Sequence, residues 1–293
     1  LIKGDIHLPE NVIDEVLLKQ DGIPTYHFAH VIDDHLMHTT HVIRGDEWIP
    51  SFPKHLQLNQ LLGFRACKYA HIAPLTKKED GKVRKLSKRK DPEFAVSYYK
   101  DSGIPSDVVL LYLATLANTN FEEWYLQNKD KTLDDFTFSF KKMPIGGTLF
   151  DMEKLNNISR TYFSRLSADA IYEQALVFYQ EKDPSFFRLL TKEKEKVIAF
   201  LNIERNGKRP RKDIATLEDI KNESSYLFDS LFAADYKKTY KDINKEDIDI
   251  SIIEKFIENY DINDSQDEWY HKIQILASEN GYAPSVKEYK EKE

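Results

Sequence analysis

Positive charge is gathered into one stretch of this sequence, Lys77 to Lys90, where eight lysines and arginines stand against two acids, Glu79 and Asp80. The stretch closes on Lys85-Leu86-Ser87-Lys88-Arg89. Ammonium and guanidinium groups this dense ask for an anion, and on a turn they can stabilise charge that develops on a phosphate. Asp80-Gly81 is a turn signal, so the cations are expected on a mobile loop that can close over a ligand rather than on a helix face. The competing reading is a solvated charge run. A second anion-seeking group is Arg44, just beyond the apolar run Thr39 to Ile43. A guanidinium at a strand end can hold a carboxylate or phosphate bidentately, or it can form a structural ion pair with Asp33, Asp34 or Asp46. Tyr26 and Trp48 flank these groups, either as pocket walls or as core aromatics.

The whole chain limits what such groups can serve. Its 293 residues suffice for two or three domains, and a composition of 41% hydrophobic and 31% charged residues is that of a folded, helix-leaning protein. A net charge of −7 argues against a polyanionic partner only when summed over the chain. A phosphate responds to charges within roughly 10 Å, so local patches decide. Two exist: Lys77 to Lys90, and the cluster Arg205, Lys208, Arg209, Arg211 and Lys212, which reads equally as phosphate contacts or as an exposed linker. No apolar run approaches the roughly 18 residues that span a bilayer, no leader is visible, and the single Cys67 excludes an internal disulfide. A cytoplasmic protein without a membrane is the expectation. Seven histidines from His27 to His71 raise metal binding. Zinc sites usually add Cys or a helical His pair four apart, and His27 and His30 on a strand would face opposite sides, so no protein-bound metal is expected.

The elements that must position these groups follow from periodicity. Short strands are expected over Val12 to Leu18, with a turn at Asp21-Gly22, and over Tyr26 to Ile32, the latter buried and ending on Asp33-Asp34, with Asp33 capping a helical turn through Met37. Thr39 to Ile43 and Tyr69 to Leu75 read as further strands around a helix from Ser51 to Leu62 stopped by Gly63. Strand, helix, strand with ligand-type residues at the strand ends is half of a doubly wound sheet. Beyond the basic run the pattern is helical: Phe94 to Lys100, Pro105 to Asn118, Asp151 as a cap for a helix through Phe163, then Ala168 to Glu181, Pro184 to Leu190, Lys192 to Asn202, Thr216 to Phe232, Asp247 to Asn259 and Asp267 to Glu279. The charged end, Lys287 to Glu293, is expected to fray.

Four blocks together, Tyr26-His27-Phe28-Ala29 with Asp33 to Met37, Thr40 to Trp48, His71 to Leu75, and Lys85 to Arg89, resemble the bacterial glutamyl-tRNA synthetases. The last block is similar to the KMSKS signature of class I aminoacyl-tRNA synthetases, in its KLSKR form. The resemblance holds at motif strength from Leu1 to about Phe163 and continues as a helical pattern, with Trp269 and Gly281-Tyr282 as weak anchors. It implies a mixed fold: the second half of a Rossmann-type α/β catalytic domain over 1–75, with the tail of an inserted acceptor-binding domain at 1–20. A small α/β stem-contact region carrying the KLSKR loop follows over 76–165, and an incomplete α-helical anticodon-binding domain over 166–293.

The implied chemistry is activation of L-glutamate by ATP with Mg2+, followed by transfer to the 3′ end of tRNA(Glu), in a cytoplasmic monomer. Arg44 matches the arginine that pairs with the glutamate side-chain carboxylate, and Tyr26 matches a tyrosine of that pocket. His30 stands where some relatives carry Asn. Glu47 and Trp48 match positions around ATP and glutamate; Pro74 and Leu75 match backbone positions at adenine. Lys88 matches the lysine that stabilises the α-phosphate, with Lys85 and Arg89 as supporting cations, Ser87 orienting the loop and Leu86 within it. In such helical domains the cations Arg205, Lys208, Arg209, Arg211 and Lys212 would meet tRNA phosphate.

The HIGH-type segment of class I enzymes has no counterpart in this sequence, so the chain is expected to be an internal or C-terminal segment, inactive alone but able to bind tRNA. A non-catalytic tRNA-binding paralogue is the alternative. A glutaminyl-tRNA synthetase is a further one, ranked lower because its anticodon region is a β-barrel.

Overall fold

The computed structural model describes residues 1–205, 207–235, 249–285 and 288. The chain divides into two compact units, Leu1–Asp229 and Ser230–Glu293.

In the first unit, residues 1–25 run without regular secondary structure. The strand expected over Val12 to Leu18 is absent; a single bridge joins Leu18 to Pro24 around a turn whose Gly22 takes a positive φ. An extended apolar segment becomes a strand only beside a partner, and none lies next to Val12, Ile13 and Val16, which are largely exposed. The second expected strand is also corrected. Tyr26–Leu36 is a helix, α1, in which Asp33 is interior and Met37 closes the C-terminus. The segment runs for 11 residues, too long for a typical buried strand, and holds only two β-branched residues, Val31 and Ile32.

Strand β1 (His41–Gly45), helix α2 (Phe52–Leu61) and strand β2 (Lys68–Ile72) form the expected strand-helix-strand unit, with β1 and β2 parallel, but β2 stops at Ile72 and Leu75 opens the next strand, in another sheet. A short 3-10 turn, Asp46–Ser51, leads into α2, and Gly63 (φ 70°) follows its end. The register sets Arg44 beside His71.

The basic run is not an open loop. Strands β3 (Leu75–Glu79) and β4 (Lys82–Lys85) pair antiparallel through a two-residue turn at Asp80 and Gly81, both with positive φ, as a type I′ turn requires. The short strand β5 (Thr148–Leu149) joins β3 in parallel.

Helices α3 (Val96–Asp101), α4 (Ser106–Ala117), α5 (Phe121–Gln127) and α6 (Met152–Arg165) enclose a core of Val108, Leu111, Tyr112, Phe121, Phe150 and Leu155, which also receives Leu86. Asp151 caps α6 as expected, its Oδ1 accepting from the amides of Glu153 (2.9 Å) and Lys154 (3.2 Å). Pro92 opens a 3-10 turn, and the helix expected from Phe94 begins at Val96.

Helices α7 (Ala168–Lys182), α8 (Pro184–Lys192), α9 (Lys194–Asn202) and α10 (Leu217–Ser224) pack through Ile171, Tyr172, Tyr179, Phe186, Leu190, Leu201 and Ile220. The single helix expected over Thr216 to Phe232 breaks: α10 gives way to a 3-10 turn, Ser225–Leu227, before α11 (Asp229–Asp235). In the second unit α12 (Ile250–Asn259) is capped by Asp249, and α13 (Gln266–Glu279) by a Ser265–Glu268 capping box. The expected start at Asp247 and most of the tail from Lys287 lie outside the described residues. Among the described residues no helix is long and apolar enough to cross a membrane.

Gly103 ties the α3–α4 turn to α10. Its carbonyl accepts from the Leu217 amide at 2.8 Å, its φ is 70°, and a Cβ there would lie 3.1 Å from the Leu217 nitrogen and 3.0 Å from Phe178. Gly103→Ala is therefore expected to cost about 2 kcal/mol, combining left-handed strain with overpacking. A shift in the urea midpoint without a change in slope would show it.

Candidate active site

Arg44 is the centre of the first cluster. Strand register brings His71 alongside, and the Arg44 Nε–H donates to His71 Nε2 at 3.0 Å. From α2 the fully buried His55 places Nδ1 at 2.9 Å from Arg44 Nη1, and His55 Nε2 lies 2.9 Å from Nδ1 of His27 on α1. The guanidinium stands over the Tyr69 ring, 5.1 Å from its centroid. An arginine only donates, so both histidines must accept in neutral form: His55 protonated on Nε2, His71 on Nδ1. His55 then donates to His27.

No carboxylate pairs with Arg44 among the described residues. Asp46 binds Lys3 at 3.2 Å, and Asp34 lies 3.3 Å from His30 Nδ1. The structural ion pair with Asp33, Asp34 or Asp46 is thus not formed. Arg44 Nη2 and His30 Nε2 are both buried without a hydrogen-bond partner. A buried guanidinium nitrogen left unsatisfied is costly unless a ligand completes it. Tyr26 and Trp48 stack beside this point, 4.9 Å between centroids, and Tyr26 lies parallel to His30 at 5.9 Å. Tyr26 is half exposed and so stands at the rim.

Burial, followed by the Arg44 charge, pushes His55 down to about 3 from its ordinary 6.5. Burial likewise lowers His27, His30 and His71. The argument that kept His27 and His30 apart fails, because both lie on a helix. The ring nitrogens of His55 and His71 are turned to the Arg44 cation, and that of His27 to His55.

The second cluster is the turn after β4. Leu86 is buried, and its amide donates to the Leu75 carbonyl at 2.9 Å. Asp91, also buried, closes the turn: its Oδ2 accepts from the Ser87 amide at 2.8 Å, and its own amide donates to Ser87 O at 2.9 Å. Arg84 grips both Asp91 oxygens, Nη1 at 2.7 Å and Nη2 at 2.8 Å, while binding Glu79. The Arg84 bonds, with the Ser87 amide, hold the Asp91 carboxyl well below the usual range. Lys77 pairs with Glu93.

In the basic run Lys77 and Arg84 are spent on structure, while Lys88, Arg89 and Lys90 after the hairpin, like Lys78 and Lys82 on it, are left exposed. The Ser87 Oγ accepts from the Arg89 amide at 3.3 Å. Lys85 reaches Glu47 at 3.0 Å and so joins the two clusters. Glu47 folds back over Gly45, where a Cβ would lie 2.1 Å from its carboxylate. Pro74 and Leu75 have their carbonyls committed, to the amides of Thr148 (3.2 Å) and Leu86.

The cations of the helical region are not equivalent. Arg205 is buried and donates to the carbonyls of Leu201 (2.6 Å) and Phe163 (2.7 Å), so its guanidinium faces inward and not toward a phosphate. Arg211 pairs with Asp213 at 2.5 Å and lies over Phe200. Lys212 donates to Thr161 Oγ1 at 3.1 Å. Lys208 and Arg209 are exposed. A cavity of about 230 Å³ lies elsewhere, between α4, α5 and α6, lined by Leu111, Phe121, Tyr125 and Ile158 and by none of the expected site residues.

His55, Asp91 and Arg84 had no expected role. The readable signal for Asp91 is an acid closing a basic run four residues after Ser87; for His55 no local signal exists, since α2 must first be packed on β1.

Residues 1–157 match the family described as tRNA synthetases class I (E and Q), catalytic domain. A glutamate–tRNA ligase of Acetivibrio thermocellus is 45% identical over 289 residues, covering 99% of this chain and 53% of the relative. One from Clostridium perfringens strain 13 is 41% identical over 295 residues, covering 99% and 54% respectively. The chain spans about half the length of these relatives. The crystal structure of a glutamate tRNA ligase from Elizabethkingia meningosepticum, in complex with its amino acid, superposes with a TM-score of 0.65 at 24% identity over 92% of this chain and 54% of that one, a likeness of fold.

The lowered histidines make stability depend on pH. Between about 6.5 and about 3 the unfolded chain binds the His55 proton and the folded chain does not. Stability is therefore expected to fall as pH drops through this window, by up to about 1.4 kcal/mol per pH unit for one such group. Urea titrations from pH 7 to pH 4 should show this slope, and His55→Gln should flatten it.

Proposed function

Because the chain belongs to the class I tRNA synthetase (E and Q) family, we propose that it is the part of a glutamate–tRNA ligase that carries the side-chain pocket for glutamate and the KLSKR phosphate turn. The observation that carries this reading is Arg44: an oriented guanidinium with a buried, unpartnered Nη2 and no carboxylate of its own. The γ-carboxylate of L-glutamate is the missing partner, with Tyr26, His30 and Trp48 as the wall. Glutamate's α-carboxylate attacks the α-phosphate of ATP and pyrophosphate leaves; a terminal ribose hydroxyl of tRNA(Glu) then attacks the carbonyl of the adenylate, takes the acyl group and releases AMP.

The contribution of this chain is electrostatic and positional, not nucleophilic. Lys88, with Arg89 and Lys85 in support, stabilises charge on the phosphates. Asp91 and Arg84 hold the turn, and Ser87 shapes it. Mg2+ would accompany ATP and neutralise charge on the triphosphate. Glu47, Trp48, Leu86 and the backbone of Pro74 and Leu75 border the nucleotide.

Residues 1–75 are assigned to the catalytic half-domain, 76–165 to the stem-contact region and 166–293 to anticodon binding. The helices from Ala168 favour the glutamate over the glutamine enzyme. For tRNA phosphate, Lys208, Arg209 and Lys212 remain the accessible cations, Arg205 being withdrawn. The protein is assigned to the cytoplasm as a monomer.

In the complete protein, Lys88→Ala is expected to lower tRNA-dependent ATP–pyrophosphate exchange more than tenfold, a loss above about 1.4 kcal/mol. An unchanged exchange rate would remove the KLSKR turn from the chemistry.

A further inference from the structure

Arg44 is held by two imidazoles and not by an acid, and this is unusual for a half-buried arginine. A carboxylate neighbour would neutralise the guanidinium and compete with any anionic ligand. A neutral imidazole accepts the N–H bond, fixes the plane and leaves the full positive charge available. His71 accepts from Nε and His55 from Nη1, so two of the three guanidinium nitrogens are tied and Nη2 is the one left. The His55 ring is fixed at both ends, because its other nitrogen engages His27 and the side chain is fully buried. Each imidazole sits on a different element, α2 and β2, and Tyr69 supports the cation from below.

We propose that His55 and His71 are positioning residues for the anion pocket: as neutral acceptors they aim the Arg44 Nη2 edge at a ligand carboxylate without discharging it, and His27 fixes the tautomer of His55. The identity of that ligand as glutamate rests on the function proposed above; the hydrogen-bond order does not. The bond chain runs Arg44 to His55 to His27, each donating to the next, with a separate bond from Arg44 to His71. Reversal of either ring's tautomer would put a hydrogen against the guanidinium and break the arrangement.

Two measurements on the complete protein test this. Long-range 1H–15N correlation of the histidine rings at pH 7.5 should find His55 as the Nε2–H tautomer and His71 as the Nδ1–H tautomer. The opposite assignment for either, or an imidazolium at either, overturns the proposal whatever the substrate is. In tRNA-dependent exchange, His55→Leu and His71→Leu should each raise the KM for L-glutamate about tenfold or more while moving the KM for ATP less than about twofold. His55→Gln, which keeps an acceptor, should recover most of the loss. Equal shifts in both KM values, or a His55→Gln as poor as His55→Leu, would make the role merely structural and overturn it. If the tautomers are as stated but no glutamate-dependent exchange occurs in the wild-type protein, the positioning stands and the assigned substrate falls.

Discussion

A guanidinium buried against imidazoles, with no acid to answer it, is the constraint on which the first unit turns. Taking a charge from water costs several kcal/mol, and the ordinary remedy is a carboxylate neighbour. Here Asp46 is drawn off by Lys3, and Asp34, 3.3 Å from His30, makes no hydrogen bond to the guanidinium, so no carboxylate among the described residues caps Arg44. The parallel pairing of β1 and β2 supplies His71, the packing of α1 and α2 supplies His55 and His27, and the Tyr26–Trp48 stack walls the outside. Every element near Arg44 contributes to the same end. The apparent cost of the site is the means by which it can hold an anion.

The phosphate turn obeys the opposite rule. Asp91 is a buried carboxylate fully engaged by Arg84 and by the Ser87 amide, and this fixes the backbone from which Lys88 and Arg89 project. Structural charge is paired and buried; chemical charge is left unpaired and exposed. The same division recurs in the helical region, where Arg205 serves backbone carbonyls while Lys208 and Arg209 face solvent. A patch of cations in sequence is therefore a mixture of anchors and contacts.

Much of this is legible in the amino-acid sequence. Asp151 was readable as a cap because its side chain needs only the local backbone, and Gly63 as a helix stop for the same reason. The long amphipathic helices were readable from period alone, with α6 and α7 close to their expected bounds. What failed was non-local. Tyr26–Leu36 carries an apolar run that suits either element, and its packing on α2 decides for helix. The hairpin in the basic run needs β3 and β4 to find each other across Asp80-Gly81, which a count of charges does not reveal. Arg44 and the KLSKR residues were legible as a resemblance, but the histidines that hold Arg44 become neighbours only when three elements meet.

The central claim, that Arg44 waits for a carboxylate, is tested most directly by calorimetric titration of L-glutamate and of L-glutamine into the complete protein and its Arg44→Met variant. The account predicts heat of binding for L-glutamate in the wild-type protein, at least about tenfold weaker binding of L-glutamine, and loss of L-glutamate binding in the variant with its melting temperature preserved. Arg44→Met binding L-glutamate within about twofold of wild type would contradict it.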